Sequence, residues 1–183
     1  MLEIHKDKAP DFFKDWLKNN QEHGQLLKEF ILEKEQQQVC CYCEKGITSL
    51  NDSHIEHIRP RDKFPQLKNN YQNLVVSCIT PGRCGNAKGN KFNKHFIVPT
   101  EENPGEFLTY SPNGEIRAID NNKKAAVTIE ILNLNTPRLV GARRTLFIRL
   151  NNMKETFTDF QEFFKEYPTF IKYFKDYYLE LPI

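Results

Sequence analysis

Nowhere in the 183 residues does an apolar run approach the roughly 18 residues that crossing a bilayer requires. The opening Met1 to Lys6 runs straight into charge, without the apolar stretch of a secretory leader. A cytoplasmic protein without membrane partners is therefore expected. Glycine (8) and proline (10) gather into no tract, and neither a repeat nor a low-complexity linker is visible. Disorder is excluded as well, because 39% of the residues are hydrophobic and only 27% charged. One structural unit is expected, with an N-terminal helical segment 1–37, a central module 38–98, and a hairpin with a C-terminal helical segment 99–183.

The chain also lacks a strong overall charge, at +2, but the balance is uneven. Between Arg59 and Lys94 stand eight basic residues and one acid, Asp62, a local balance of +7 that leaves −5 for the rest. A basic run is more often a solvated face than a site. Here it overlaps the residues with chemistry, which favours a phosphate footprint.

The pattern of apolar residues predicts an α+β chain that is mostly helical. Residues 10–36 read as helix, with Phe12, Phe13, Trp16 and Leu17, then Leu26, Leu27, Phe30 and Ile31, at steps of three and four and a break at Gly24. Ile47 to Ile58 reads as two short strands around Asn51-Asp52-Ser53, and Asn86 to Lys94 as the start of a helix. Phe107 to Ile119 reads as a hairpin turning at Asn113-Gly114. Leu146, Leu150, Met153, Phe157, Phe160 and Phe164 then mark a C-terminal helical stripe, read first as core and second as a docking face.

Five cysteines remain: Cys40, Cys41, Cys43, Cys78 and Cys84. In a cytosolic chain such a cluster favours metal over disulfides. Cys40-x-x-Cys43 is a knuckle spacing for Zn²⁺, and Cys78 with Cys84 can complete a tetrahedral structural site. Cys41 is left over as a small buried hydrophobe, with Cys41 in place of Cys40 as the alternative ligand. A redox C-x-x-C would call for a thioredoxin-like βαβ pattern, and none is seen.

Between the cysteine pairs lies Ser53-His-Ile-Glu-His-Ile-Arg-Pro-Arg61. Hydrolysis of a phosphodiester needs a base for water, a divalent cation and cationic groups for the backbone. Glu56 and His57, adjacent on a strand, point to opposite sides. A carboxylate is a hard ligand suited to Mg²⁺, and an imidazole titrates near neutrality.

The ordered set of a cysteine pair, Glu56-His57-Ile-x-Pro60, Asn73-Leu74, a second cysteine pair and Asn-x-Lys88 resembles the HNH endonucleases. Wider agreement, through Cys84-Gly-Asn-Ala-Lys-Gly-Asn90, Thr128-Ile-Glu-Ile-Leu-Asn-Leu-Asn135 and Arg143, resembles retron-associated HNH proteins and the nuclease subunit of Septu anti-phage systems. The resemblance implies a zinc-stabilised ββα-metal finger within 38–98 that cuts DNA. By the same carry-over His57 is the general base, Glu56 a ligand of catalytic Mg²⁺ or Mn²⁺, and Asn73 the residue that constrains the histidine loop. Gly85 stands where many relatives carry an Asn or His, so Asn86 is expected as second metal ligand, with Asn90 and His95 as alternates. His54 is expected as a hydrogen-bonding strand residue, with an approach to the metal as the alternative, since it shares a strand face with Glu56. Arg59, Arg61, Lys88 and Lys91 are candidate phosphate contacts. An ATPase subunit is the implied partner, with a retron reverse transcriptase and its RNA as a further one. The competing expectation is a zinc-stabilised nucleic-acid-binding or interaction subunit without catalysis.

Overall fold

The computed structural model describes residues 1–154 and 160–179, so Phe157 of the C-terminal stripe lies outside the described residues. The N-terminal pattern forms two helices, α1 (Phe13–Lys18) and α2 (Asn20–Lys34). The break falls at Asn19, whose φ of −136° and ψ of 84° leave the helical region, and Gly24 stays inside α2. Leu27 and Ile31, one turn apart, are fully buried, and α2 lies against the central sheet.

That sheet has two antiparallel strands, β1 (Ser53–His57) and β2 (Leu74–Cys78), with His54 opposite Ser77 and Glu56 opposite Val75. The expected pair of strands within Ile47–Ile58 is corrected: Leu50–Asp52 make a 3-10 turn, capped by the Ser49 side chain, that leads into β1 alone. The partner strand comes from 74–78, after a loop that reverses the chain. The outer side of β2 is also satisfied. The buried Gln36 amide accepts from Val76 N at 2.7 Å and donates to Val76 O at 2.9 Å, acting as a one-residue strand.

A short helix α3 (Cys84–Lys88) follows β2 and packs on it. It stops at Gly89, whose φ of +48° suits glycine, so the longer helix expected through Lys94 does not form. Strand, strand and helix thus follow one another in a mixed α+β arrangement.

The second sheet is the expected hairpin, β3 (Leu108–Tyr110) with β4 (Ile116–Ala118). Gly114 turns it at φ +90°, and a β-carbon there would lie 2.2 Å from the Val140 carbonyl. Helices α4 (Lys123–Leu132) and α5 (Pro137–Met153) follow. Thr128 accepts from Ile97 N at 2.9 Å. Asn135 pairs with both backbone groups of Ile116, and buried Arg143 donates to Gly114 O at 2.6 Å and Leu134 O at 2.8 Å. The 128–135 motif is thereby accounted for as scaffold.

Leu146 and Leu150 of α5 are buried, and Phe147 meets Phe174 of α7 (Pro168–Phe174) edge-on. Between them lies α6 (Phe160–Phe163). The start of α7 grips the cysteine knuckle: Thr169 N donates to Glu44 Oε2 at 2.8 Å, and Tyr167 N to Glu44 O at 2.8 Å. A carboxylate at a helix N-terminus is favoured by the exposed amides there. No helix among the described residues is long and apolar enough to cross a membrane.

Candidate metal centre and cleft

The knuckle forms because Cys40 N bonds Lys45 O and Glu44 N bonds Cys40 O, while Glu44 takes the left-handed conformation (φ 61°). Cys43 follows on the turn, Cys78 ends β2 and Cys84 begins α3. The four ligand sulfurs of Cys40, Cys43, Cys78 and Cys84 lie within 4.8 Å of one another, all buried. Cys43 Sγ and Cys78 Sγ are 3.9 Å apart. Sulfurs at about 2.3 Å from a tetrahedral Zn²⁺ stand about 3.8 Å from each other, so the group fits a structural zinc ion.

Within the group the thiols are split: Cys40 and Cys78 are drawn down, Cys78 to about 6, while hydrogen bonding to Cys40 first of all pushes Cys43 and Cys84 up. Cys78 N donates to Cys40 Sγ at 3.3 Å. Burial pushes the Cys40 thiol up, but hydrogen bonds from the other cysteines outweigh it and hold Cys40 well below the usual thiol range. Cys41 lies outside the cluster, its thiol pushed up by burial and by Cys40 beside it. Sequence left Cys40 and Cys41 open, and the geometry groups Cys40. Arg83, 4% exposed, was not singled out from sequence. Burial works against its charge, yet Cys43, Cys78 and Cys84 keep its pKa raised, and it stands as a counter-charge to the sulfurs.

A cleft of about 390 Å³ opens where β1, α3 and α1 meet, lined among others by Trp16, His54, Glu56, His57, Arg61 and Lys68. Glu56 is 7% exposed. Lys88 Nζ holds its Oε1 at 2.6 Å, and His54 Nε2 lies 3.0 Å from Oε2. Burial raises the Glu56 carboxyl, but the His54 bond and the Lys88 charge outweigh it and keep it below its ordinary value. His57 Nε2 lies 2.9 Å from the Lys68 carbonyl. A carbonyl only accepts, so Nε2 carries the proton and Nδ1 is the basic nitrogen. Burial first, and Arg61 second, draw the His57 pKa down against that bond.

Asn73, 3% exposed, clamps the turn after β1. Its Oδ1 accepts from Arg59 N at 2.8 Å, and its Nδ2 donates to Arg59 O at 3.0 Å and Leu67 O at 3.2 Å. Asn73 is a positioning residue for the loop carrying Arg61 and Lys68. Asn73→Ala takes the side-chain partner from both backbone groups of Arg59, while Leu67 O keeps Asn70 N, and is expected to cost about 1–3 kcal/mol in urea unfolding. Faster amide exchange at Arg59 would accompany it, and unchanged exchange there would show the clamp to be dispensable.

Several expected site residues lie elsewhere. Asn86 is exposed, its Oδ1 accepts from Gly82 N at 2.7 Å, and it does not line the cleft. This is a local turn bond across four residues, so the expected ligand pair of Glu56 and Asn86 is not assembled. Asn90 reaches the cleft rim and donates to Asp62 at 2.7 Å, while His95 is not among the lining residues. Lys88 is 1% exposed and bonded to Glu56 and to His57 O, which corrects its expected role as a surface phosphate contact. Arg59 pairs with Glu101 at 2.5 and 2.7 Å, away from the cleft. Arg61 lines the cleft, and Lys91 is exposed after α3. Lys68, Asn69 and Trp16 join the lining from segments that sequence had assigned to loop or core.

No family model matches the chain. It is similar to Septu protein PtuA of Bacillus mycoides (strain KBAB4), 26% identical over 189 residues that cover 84% of this chain and 26% of that protein. It is also similar to Septu protein PtuB of Bacillus thuringiensis, 29% identical over 119 residues that cover 58% of this chain and 43% of that protein. Both relatives are Septu proteins. The chain spans less than half the length of either relative.

Proposed function

We propose that the chain is a metal-dependent endonuclease of the HNH type that hydrolyses DNA. The observation that carries this reading is the pairing, at one basic cleft, of His57 with a fixed tautomer and Glu56 held as a buried carboxylate. Similarity to Septu proteins supports a role in anti-phage defence with a partner subunit, for which an ATPase is the proposed identity.

His57 Nδ1 accepts a proton from the attacking water, with the imidazole oriented by the Lys68 carbonyl. Arg61 and Lys68 hold the phosphate against it. Lys88 keeps the Glu56 carboxylate in place, and Asn73 keeps the loop in register with β1. A divalent cation, Mg²⁺ or Mn²⁺, would be held at Glu56 and would take up charge on the phosphate and the leaving oxygen. Glu56 fits that role, whereas Asn86 does not in the geometry seen. The cysteine zinc is scaffold.

The test is nicking of supercoiled plasmid with Mg²⁺ or Mn²⁺, by the chain alone and with the product of the neighbouring gene. His57→Ala is expected to slow nicking roughly 10²–10⁴-fold, and EDTA to stop it. DNA binding without nicking that depends on His57, in both settings, would replace the enzyme with a binding module.

A further inference from the structure

His54 and Glu56 are two residues apart on β1, so the pleat sets them on one face. Lys88 occupies Glu56 Oε1 and leaves Oε2 turned to His54 Nε2 at 3.0 Å. The opposite wall is Gly85 at the start of α3. A β-carbon there would lie 2.8 Å from both Cε1 and Nε2 of His54 and 3.0 Å from Glu56 Oε2. The imidazole fills the space that a side chain at 85 would need, and 36% of it is open to solvent.

We propose that His54 and Glu56 together hold the catalytic cation, with His54 in the place that the sequence suggested for Asn86, so that the site takes Mn²⁺ ahead of Mg²⁺. The distance supports it: neighbouring ligands on an octahedral ion with bonds of about 2.1 Å stand about 3 Å apart. The donor chemistry supports it too. A mixed nitrogen and oxygen set follows the transition-metal affinity order, while Mg²⁺ favours oxygen donors and its own waters. Gly85 is then a requirement of the site, since any side chain there displaces the imidazole.

The inference rests on the nuclease reading only for the need of a cation. Zinc-loaded protein is titrated with Mn²⁺ and followed by electron paramagnetic resonance and spin-echo modulation. One Mn²⁺ with nitrogen coupling is expected. His54→Ala loses the coupling and at least about tenfold in affinity, a difference of about 1.4 kcal/mol. Gly85→Ala weakens binding similarly although every ligand remains, and Asn86→Ala keeps both signals. Zinc content and thermal melting check that each variant is folded. Wild-type Mn²⁺ without nitrogen coupling, unchanged binding in His54→Ala, or loss in Asn86→Ala would overturn the proposal. If nitrogen-coupled Mn²⁺ persists while plasmid stays intact under all conditions, the nuclease reading fails and the metal site stands. If His54→Ala nicks like wild type and binds Mn²⁺ equally, the metal site falls and the nuclease reading stands.

Discussion

Stripping zinc with a strong chelator, or replacing Cys43 with Ser, is expected to unfold the cleft-bearing segment from Cys40 to about Asn90. The four sulfurs join pieces with little stability of their own. A two-stranded sheet is marginal in water, and α3 is five residues long, far below the length at which a helix persists alone. Cys84 also holds a left-handed conformation (φ 53°) at the start of α3, which costs a non-glycine residue about 1–3 kcal/mol. Structural zinc contributes about 10–16 kcal/mol in small zinc-binding peptides, comparable with the whole stability of a typical domain. Hydrogen exchange should therefore rise first in β1, β2 and α3, with slower change in α2 and α5, which bury their own apolar faces. Thr169 and Tyr167, bound to Glu44 of the knuckle, should follow next. Protein that carries no zinc as isolated, with β2 protected as well as with metal added, would refute the scaffold role.

The parts of the fold legible in sequence are those fixed by neighbours in the chain. Asn113-Gly114 announced its hairpin because only a residue free to adopt positive φ closes that turn. The C-x-x-C knuckle announced itself through ligand spacing. The boundaries that went astray did so for local reasons as well. Asn19 ends α1 before Gly24 is reached, and Gly89 ends α3 before Lys94. Composition alone does not rank two such breakers.

The candidate site was legible as residue types and much less as partners. Lys88 and Glu56 are 32 residues apart, and Arg59 and Glu101 are 42 apart. Arg59, Arg61, Lys88 and Lys91 in the basic run looked equally free to meet phosphate. The fold instead gives Arg59, Arg83 and Lys88 to Glu101, the cysteine sulfurs and Glu56, and leaves Arg61 and Lys68 to the cleft. Asn86 illustrates the same limit at short range, since its bond to Gly82 follows from the turn that brings Cys84 to the sulfurs. Motif order suggested a ligand at 86, but the direction of a side chain on the first turn of a five-residue helix depends on how that turn is entered.

Lys88→Met is expected to cost about 3–5 kcal/mol in urea unfolding, because it leaves a buried carboxylate without its cation. The side chains of the pair are 1% and 9% exposed, so water cannot readily take the place of the ammonium. Lys88 also donates to His57 O at 2.9 Å, tying the end of β1 to the end of α3. Glu56→Gln alone should be costly in the opposite sense, since it leaves a buried ammonium facing an amide. The double variant, with a thioether beside a neutral amide, removes both charges and should recover most of the loss. The coupling between the two positions, read from a double-mutant cycle, then separates the ion pair from simple loss of packing. A loss below about 1 kcal/mol for Lys88→Met, the range of an exposed pair, would mean that the carboxylate finds another partner. Since the cleft geometry hangs on which Glu56 oxygen is occupied, the double variant should stay folded and still lose cation binding. Stability and function would then part at a single pair, with Lys88 serving the fold and orienting the carboxylate that the site requires.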